Sequence, residues 1–234
     1  MKFAIIAAGE GSRLRKEGLY IPKPMIEIGG MTLIDRLIDR AKRYEFSTAC
    51  IIVNDIYPEL ANWFRDKDYG IFIQLIVKST PGSMHSFYEL SQFLRDDDFI
   101  LTTVDPIYTD ESFRYFLEFI DTHPHADGIM AATNYVDDEK PLWIICNNRM
   151  QIVEFSDTQK ESSLVSAGFY YFKPLVINFL EKAMQQGMFR MRDFQRFLLK
   201  QGCSLIACNV GKVIDIDHTS DILQAELMLK SKNS

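Results

Sequence analysis

The 234-residue chain is 47% hydrophobic and 25% charged, an ordinary globular balance that can bury a sizeable core and suits one domain. Lys and Arg total 26 against 32 Asp and Glu, and the net charge of −6 argues against chain-wide affinity for nucleic acid or an anionic membrane. Cys50, Cys146, Cys203 and Cys208 lack CxxC spacing and read as free thiols; no apolar run approaches a membrane span or a secretory segment, so a cytoplasmic setting is expected.

In chain order, "KFAIIAA" reads as a first strand, and the glycines of "AAGEGSRL" follow it directly. In "TLIDRLIDRAKRYEF", Leu33, Ile34, Leu37, Ile38 and Ala41 recur at helical spacing, with Thr32 placed to cap and Asp35 in the first turn. "ACIIVND", "IFIQLIV" and "DFILTTVD" are further short strands, with helical patterns between most of them. That alternation predicts an α/β fold: a mixed, mainly parallel sheet with helices on both faces. Ligands of such sheets bind beyond the carboxyl ends of the strands, where the opening loop, "STPGS" and "TTVDPIY" should emerge.

The second half changes character. "PLWIICNNRMQIVEF" and "SSLVSAGFYYFKP" read as strand pairs, a small β-rich insertion walling one side of a site, and "PLVINFLEKAMQQ" and "MRDFQRFLLKQ" as helices. With no repeat and no linker, residues 1–234 form one domain, whose halves divide at about residue 110.

Gly9 and Gly11 let backbone N–H groups turn toward an anion without a Cβ in the way. The loop is neither a P-loop, which needs GxxxxGK[ST], nor a dinucleotide fingerprint, whose third glycine is replaced by Leu14. Arg13, Arg15 and Lys16 follow at once, and Lys23 is held between Pro22 and Pro24, so it is a positioned charge rather than a solvated one. Asp105 ends the apolar strand "FILTTV", a good place for a metal ligand; a turn-forming Asp before Pro106 is the alternative. In "VIDIDHTSDI", a regular strand would put Asp215 and Asp217 on one face, with Asp221 in the first turn of the last helix. His123 and His125 lack a third ligand at suitable spacing and read as a loop.

"AAGEGSRL" followed by "PKPMIEIGG", then "STPGSMHS", "LTTVDPIY", "SAGFYYFKP" and "VIDIDHTSDI", resembles in order the motifs of the sugar-phosphate nucleotidyltransferases. The resemblance implies a Rossmann-like core of the nucleotide-diphospho-sugar transferase fold, with a nucleotide-binding half at about 1–110 and an acceptor-side half at about 111–234. It implies transfer of a nucleotidyl group from an NTP to a sugar 1-phosphate or another alcohol phosphate, with pyrophosphate leaving. It assigns Arg13 and Lys23 to catalysis, and Ala8, Gly9, Gly11, Ser12, Gly82 and Ser83 to the nucleotide. Gly168 and Tyr170 would meet the acceptor, although an aromatic on such a strand is otherwise core. Mg²⁺ would be held by Asp105 and Asp217, with Asp215 as the competing second ligand. Val104 stands where the family commonly has glycine, and the frequent Glu-Lys-Pro is replaced by "IVEFSDTQ", which leaves the acceptor open. A homo-oligomer is compatible with the family, no fused β-helical acetyltransferase is expected at this length, and the alternative function is a catalytically silent nucleotide-sugar-binding subunit.

Overall fold

The opening apolar run forms β1 (Lys2–Ala7), whose side chains divide between two cores: Phe3, Ile5 and Ala7 join one, Ala4 and Ile6 the other. A strand buried on both faces belongs in a sheet covered by helices on both sides. The computed structural model describes residues 1–65, 67–136 and 139–230. After β1 come α1 (Ser12–Lys16), a 3₁₀ turn at Lys23–Met25, the hairpin β2 (Glu27–Ile28) and β3 (Met31–Thr32), and α2 (Leu33–Arg43). Thr32 caps α2 by accepting from the Asp35 N–H at 3.1 Å, and the apolar stripe from Leu33 to Ala41 is buried, as the spacing predicts.

The first half closes with β4 (Ala49–Val53), α3 (Pro58–Arg65), β5 (Ile73–Val77), α4 (Ser83–Leu90) and β6 (Phe99–Thr103). Strands β5, β4, β1 and β6 lie side by side and all parallel, so their carboxyl ends share one edge of the sheet.

The second half supplies β7 (Pro106–Ile107), α5 (Asp110–Thr122), β8 (Gly128–Thr133), β9 (Trp143–Cys146), β10 (Ile152–Ser156) and β11 (Leu164–Phe172). It ends with α6 (Leu180–Gln185), α7 (Met191–Lys200), β12 (Leu205–Asn209), β13 (Ile214–Asp215) and α8 (Thr219–Lys230). "SSLVSAGFYYFKP" is one long strand rather than a pair. β11 runs antiparallel to β6 and carries a single nine-stranded sheet onward to β8 and β9, while β12 pairs in parallel with β8. The β9–β10 hairpin extends the far edge of the sheet, and its strand residues line neither depression of the site, so the expected wall is not formed by them. The short pair β7 and β13 brings the segment after Asp105 against the segment before Asp217. Among the described residues, no helix is long and apolar enough to cross a membrane.

Candidate active site

Three charged segments converge at the carboxyl edge of the parallel strands. Asp105 lies just past the end of β6, and the Lys23 ammonium reaches it from the proline-bracketed turn, Nζ to Oδ2 at 2.8 Å. The same nitrogen meets Asp217 Oδ1 at 2.9 Å, and Arg13 Nη1 donates to the other oxygen of Asp217 at 2.5 Å. Only 8% of Lys23 is exposed. Burial alone would push its ammonium down, but Asp105 and Asp217 outweigh that and raise it above the ordinary lysine value, so the charge is retained. Burial likewise works against the Asp105 carboxylate, and Lys23 overcomes it, holding the group below the usual carboxylate range.

Local backbone explains how Lys23 gets there. Pro22, at φ −53, leads into the 3₁₀ turn that carries the lysine. Gly11 takes φ +63, a left-handed conformation that favours glycine, and a Cβ there would lie 3.3 Å from the Lys23 Cβ. Gly9, by contrast, has nothing within 4 Å of where a Cβ would sit.

These groups form the floor of a cleft of about 520 Å³, lined on one side by Ala8, Gly9, Gly11, Ser12 and Arg13 and on the other by Thr80, Gly82 and Ser83. Asn54, one residue beyond β4, donates its side-chain amide to the Ala8 and Gly9 carbonyls at 3.4 Å each. Both loop carbonyls are thereby tied back toward the sheet. Nothing in the sequence motif singles out that asparagine. The second loop is buttressed from afar: the Met84 N–H donates to the Phe189 carbonyl at 3.1 Å, and Ser83 Oγ accepts from the Met191 N–H at 3.0 Å. A Cβ on Gly82 would fall 2.5 Å from that Phe189 oxygen. The glycine therefore admits a neighbouring backbone, a role its place in the motif does not reveal.

A smaller depression of about 30 Å³ shares Arg13 and Asp217 with the cleft and adds Thr133, Tyr135, Glu139, Ser166, Ala167, Asp215 and His218. Asp215 thus faces this second wall instead of Lys23. The expected regular strand stops at Asp215, because the Asp217 N–H donates to the Asp215 carbonyl at 3.1 Å and to Asp221 Oδ2 at 3.0 Å, which turns the chain. Asp221 lies in the first turn of α8, as expected, and also accepts from the His218 N–H at 2.6 Å.

Tyr170 is not on the wall of either depression. It is buried beside Phe172 in the core under α4 and α7, their rings 5.9 Å apart. The register of β11 against β8 shifts between Ser166 and Tyr170, around Gly168 at φ +78, and the β11 residues that line the depression are Val165, Ser166 and Ala167. Gly168 itself packs close to Thr103 and Pro106, behind the Asp105 loop, where a Cβ would meet both at 3.2–3.3 Å. His123 caps the end of α5 and stacks on Phe119, at 4.0 Å between centroids.

The donor set suits a hard cation of a particular kind. Lys23 Nζ contacts both Asp105 and Asp217, so their oxygens lie near one another around a single point. Among the described residues, no group of three or more His, Cys, Asp or Glu could hold a metal by itself. Two carboxylates open to the cleft are a donor set that Mg²⁺ could share with waters and a ligand's oxygens.

The chain belongs to the nucleotidyl transferase family, whose match runs over residues 2–231. It is 23% identical over 242 residues to the UTP–glucose-1-phosphate uridylyltransferase AglF of Haloferax volcanii, covering 100% of this chain and 98% of that protein. It is 25% identical over 245 residues to the low-salt glycan biosynthesis nucleotidyltransferase Agl11 of the same organism, covering all of this chain but 67% of the relative. Its fold is that of the inositol-1-phosphate CTP transferase from T. maritima, with a TM-score of 0.82 at 17% identity over 99% of this chain and 96% of that one.

Proposed function

We propose that the chain transfers a nucleotidyl group from an NTP to a sugar 1-phosphate or another alcohol phosphate, releasing pyrophosphate. The observation that carries this reading is the meeting of Lys23 with both Asp105 and Asp217 on the floor of a cleft walled by the Gly9–Arg13 loop. A cleft of about 520 Å³ accommodates a nucleotide, and the adjoining depression lies where a second phosphate compound would approach the same floor.

In the reaction, an acceptor phosphate oxygen attacks the α-phosphorus, a new P–O bond forms, and the bond to the oxygen bridging α and β phosphorus breaks. The acceptor phosphate is already anionic, so no side chain has to remove a proton from it. Catalysis then rests on orientation and charge neutralisation. Loop N–H groups from Gly9 to Ser12 would cradle the triphosphate, Arg13 would turn from Asp217 to the departing pyrophosphate, and Lys23 would neutralise the charge building at the α-phosphate and acceptor. Asp105 and Asp217 would hold Mg²⁺, which supplies Lewis-acid neutralisation of the phosphate oxygens. Ser166, Thr133 and Glu139 offer hydroxyl and carboxylate groups to a hydroxyl-rich acceptor. The experiment is transfer of an α-³²P label from NTP to the acceptor: a labelled nucleoside diphosphate bearing the acceptor, joined through the new phosphoanhydride bond, supports the proposal, and label recovered only as NTP or NMP contradicts it.

A further inference from the structure

We infer that Glu17 is a positioning residue that keeps Asp217 on the active-site floor when Arg13 and Lys23 turn to substrate. The inference rests on the function proposed above. Glu17 closes the short helix α1, four positions after Arg13. Its Oε1 lies 2.5 Å from His218 Nδ1, and its Oε2 accepts from the Thr219 N–H at 2.8 Å and the Thr219 hydroxyl at 2.9 Å. One small element therefore grips three consecutive residues at the other end of the chain: Asp217 through Arg13, and His218 and Thr219 through Glu17.

The two grips differ in what the reaction does to them. The Asp217 carboxylate is held by Arg13 and Lys23, the two cations that phosphate recruits. Once they move to substrate and Asp217 turns to a metal, those contacts are weakened. Glu17 lines neither the cleft nor the smaller depression, and neither does Thr219, so that contact is not in competition with either substrate. Hydrogen bonds from His218 and then Thr219 hold its carboxyl down to about 2, so it is ionised at neutral pH. A carboxylate accepting from the first N–H of α8 also suits the helix dipole there. Asp221, the other cap, acts from within the same segment and moves with it, whereas Glu17 ties that segment to the phosphate loop.

The test is Mn²⁺ binding, followed by electron paramagnetic resonance with each of the four NTPs, for wild type, Glu17→Ala and Glu17→Gln, together with the Mg²⁺ half-saturation of turnover. Glu17→Ala should weaken Mn²⁺ binding and raise the Mg²⁺ requirement by about 10-fold or more, the usual loss for a group that orients a metal ligand. Glu17→Gln keeps an amide oxygen for Thr219 and should restore most of the binding. Hydrogen exchange at residues 217–219 should quicken in Glu17→Ala alone. If Glu17→Ala binds Mn²⁺ like wild type, or loses only turnover and melting temperature at an unchanged Mg²⁺ requirement, Glu17 is merely structural and the inference falls. A wild-type chain that binds Mn²⁺ with none of the NTPs overturns the functional reading, and this inference with it.

Discussion

Lys23 and Asp217, 194 positions apart, meet at 2.9 Å, and Asp105 stands on the other side of the same ammonium at 2.8 Å. The Lys23 and Arg13 cations together balance the two carboxylates, so removing either cation would leave a net negative charge on the floor of the cleft. A metal ion bound at this floor would draw on the same oxygens as the ammonium.

Lys23→Ala should therefore do two things. Turnover should fall by about 10²–10³, the usual cost of removing one preorganised donor to a transferring group. The melting temperature should also respond more strongly to Mg²⁺ than in wild type, because two like charges left side by side gain more from a divalent cation. Differential scanning fluorimetry with and without Mg²⁺ reads the second effect, and an equal response in both proteins would contradict it.

The two aspartates of "DID" are separated by the turn between them. Asp217 faces Lys23 and Arg13, whereas Asp215 faces the smaller depression. Asp217→Asn should raise the Mg²⁺ half-saturation and lower turnover by about 10–100-fold or more, and Asp215→Asn should change the acceptor KM instead. A larger shift in Mg²⁺ requirement for Asp215→Asn would reverse the assignment.

Gly82 packs against backbone rather than open space. An alanine Cβ 2.5 Å from the Phe189 carbonyl oxygen forces the second loop of the cleft or the segment before α7 to move. Gly82→Ala should destabilise the fold by about 1–3 kcal/mol, as overpacking does, and raise the KM for NTP more than the KM for acceptor. Unchanged NTP kinetics would show that the buttress does not shape the nucleotide wall.

How far these positions are legible in the sequence depends on how local their causes are. The α2 helix follows from its apolar spacing and its Thr32 cap, and the stiffness of Lys23 from its two prolines, all within a few residues. The bend at Asp217 depends on Asp221 and on the distant Glu17, and the place of Tyr170 on a register shift at Gly168. Gly82 depends on a carbonyl in a segment over 100 positions later; the Met191–Ser83 bond beside it spans 108. Strand alternation assumes a regular ladder, and in both β11 and β13 the ladder breaks at the site.

Asp110 provides a test of the scaffold that leaves the cleft alone. It accepts from the buried Arg40 at 3.2 Å and from two nitrogens of Arg43. The Arg43 hydrogen bonds hold its carboxyl below the ordinary value of 3.8. A depressed folded value means that the stabilisation is complete above the unfolded pKa and disappears as pH falls through the folded one. Asp110→Asn, which leaves Arg40 without its carboxylate, should cost about 0.5–1 kcal/mol at pH 7 in urea denaturation, because the half-exposed carboxylate is screened by solvent. The gap from wild type should narrow as the pH drops below 3.8. A gap independent of pH would mean that the carboxylate charge is not what matters.

Nucleotidyl transfer by this cleft is read out by pyrophosphate release across a matrix of the four NTPs against sugar 1-phosphates and other alcohol phosphates, with Mg²⁺ and with EDTA. Turnover is expected for at least one pair, abolished by EDTA and lowered by about 10² or more in Arg13→Ala. Turnover that survives EDTA, or that is indifferent to Arg13, would contradict the proposed chemistry, and nucleotide binding without pyrophosphate release from any pair would identify a binding subunit instead.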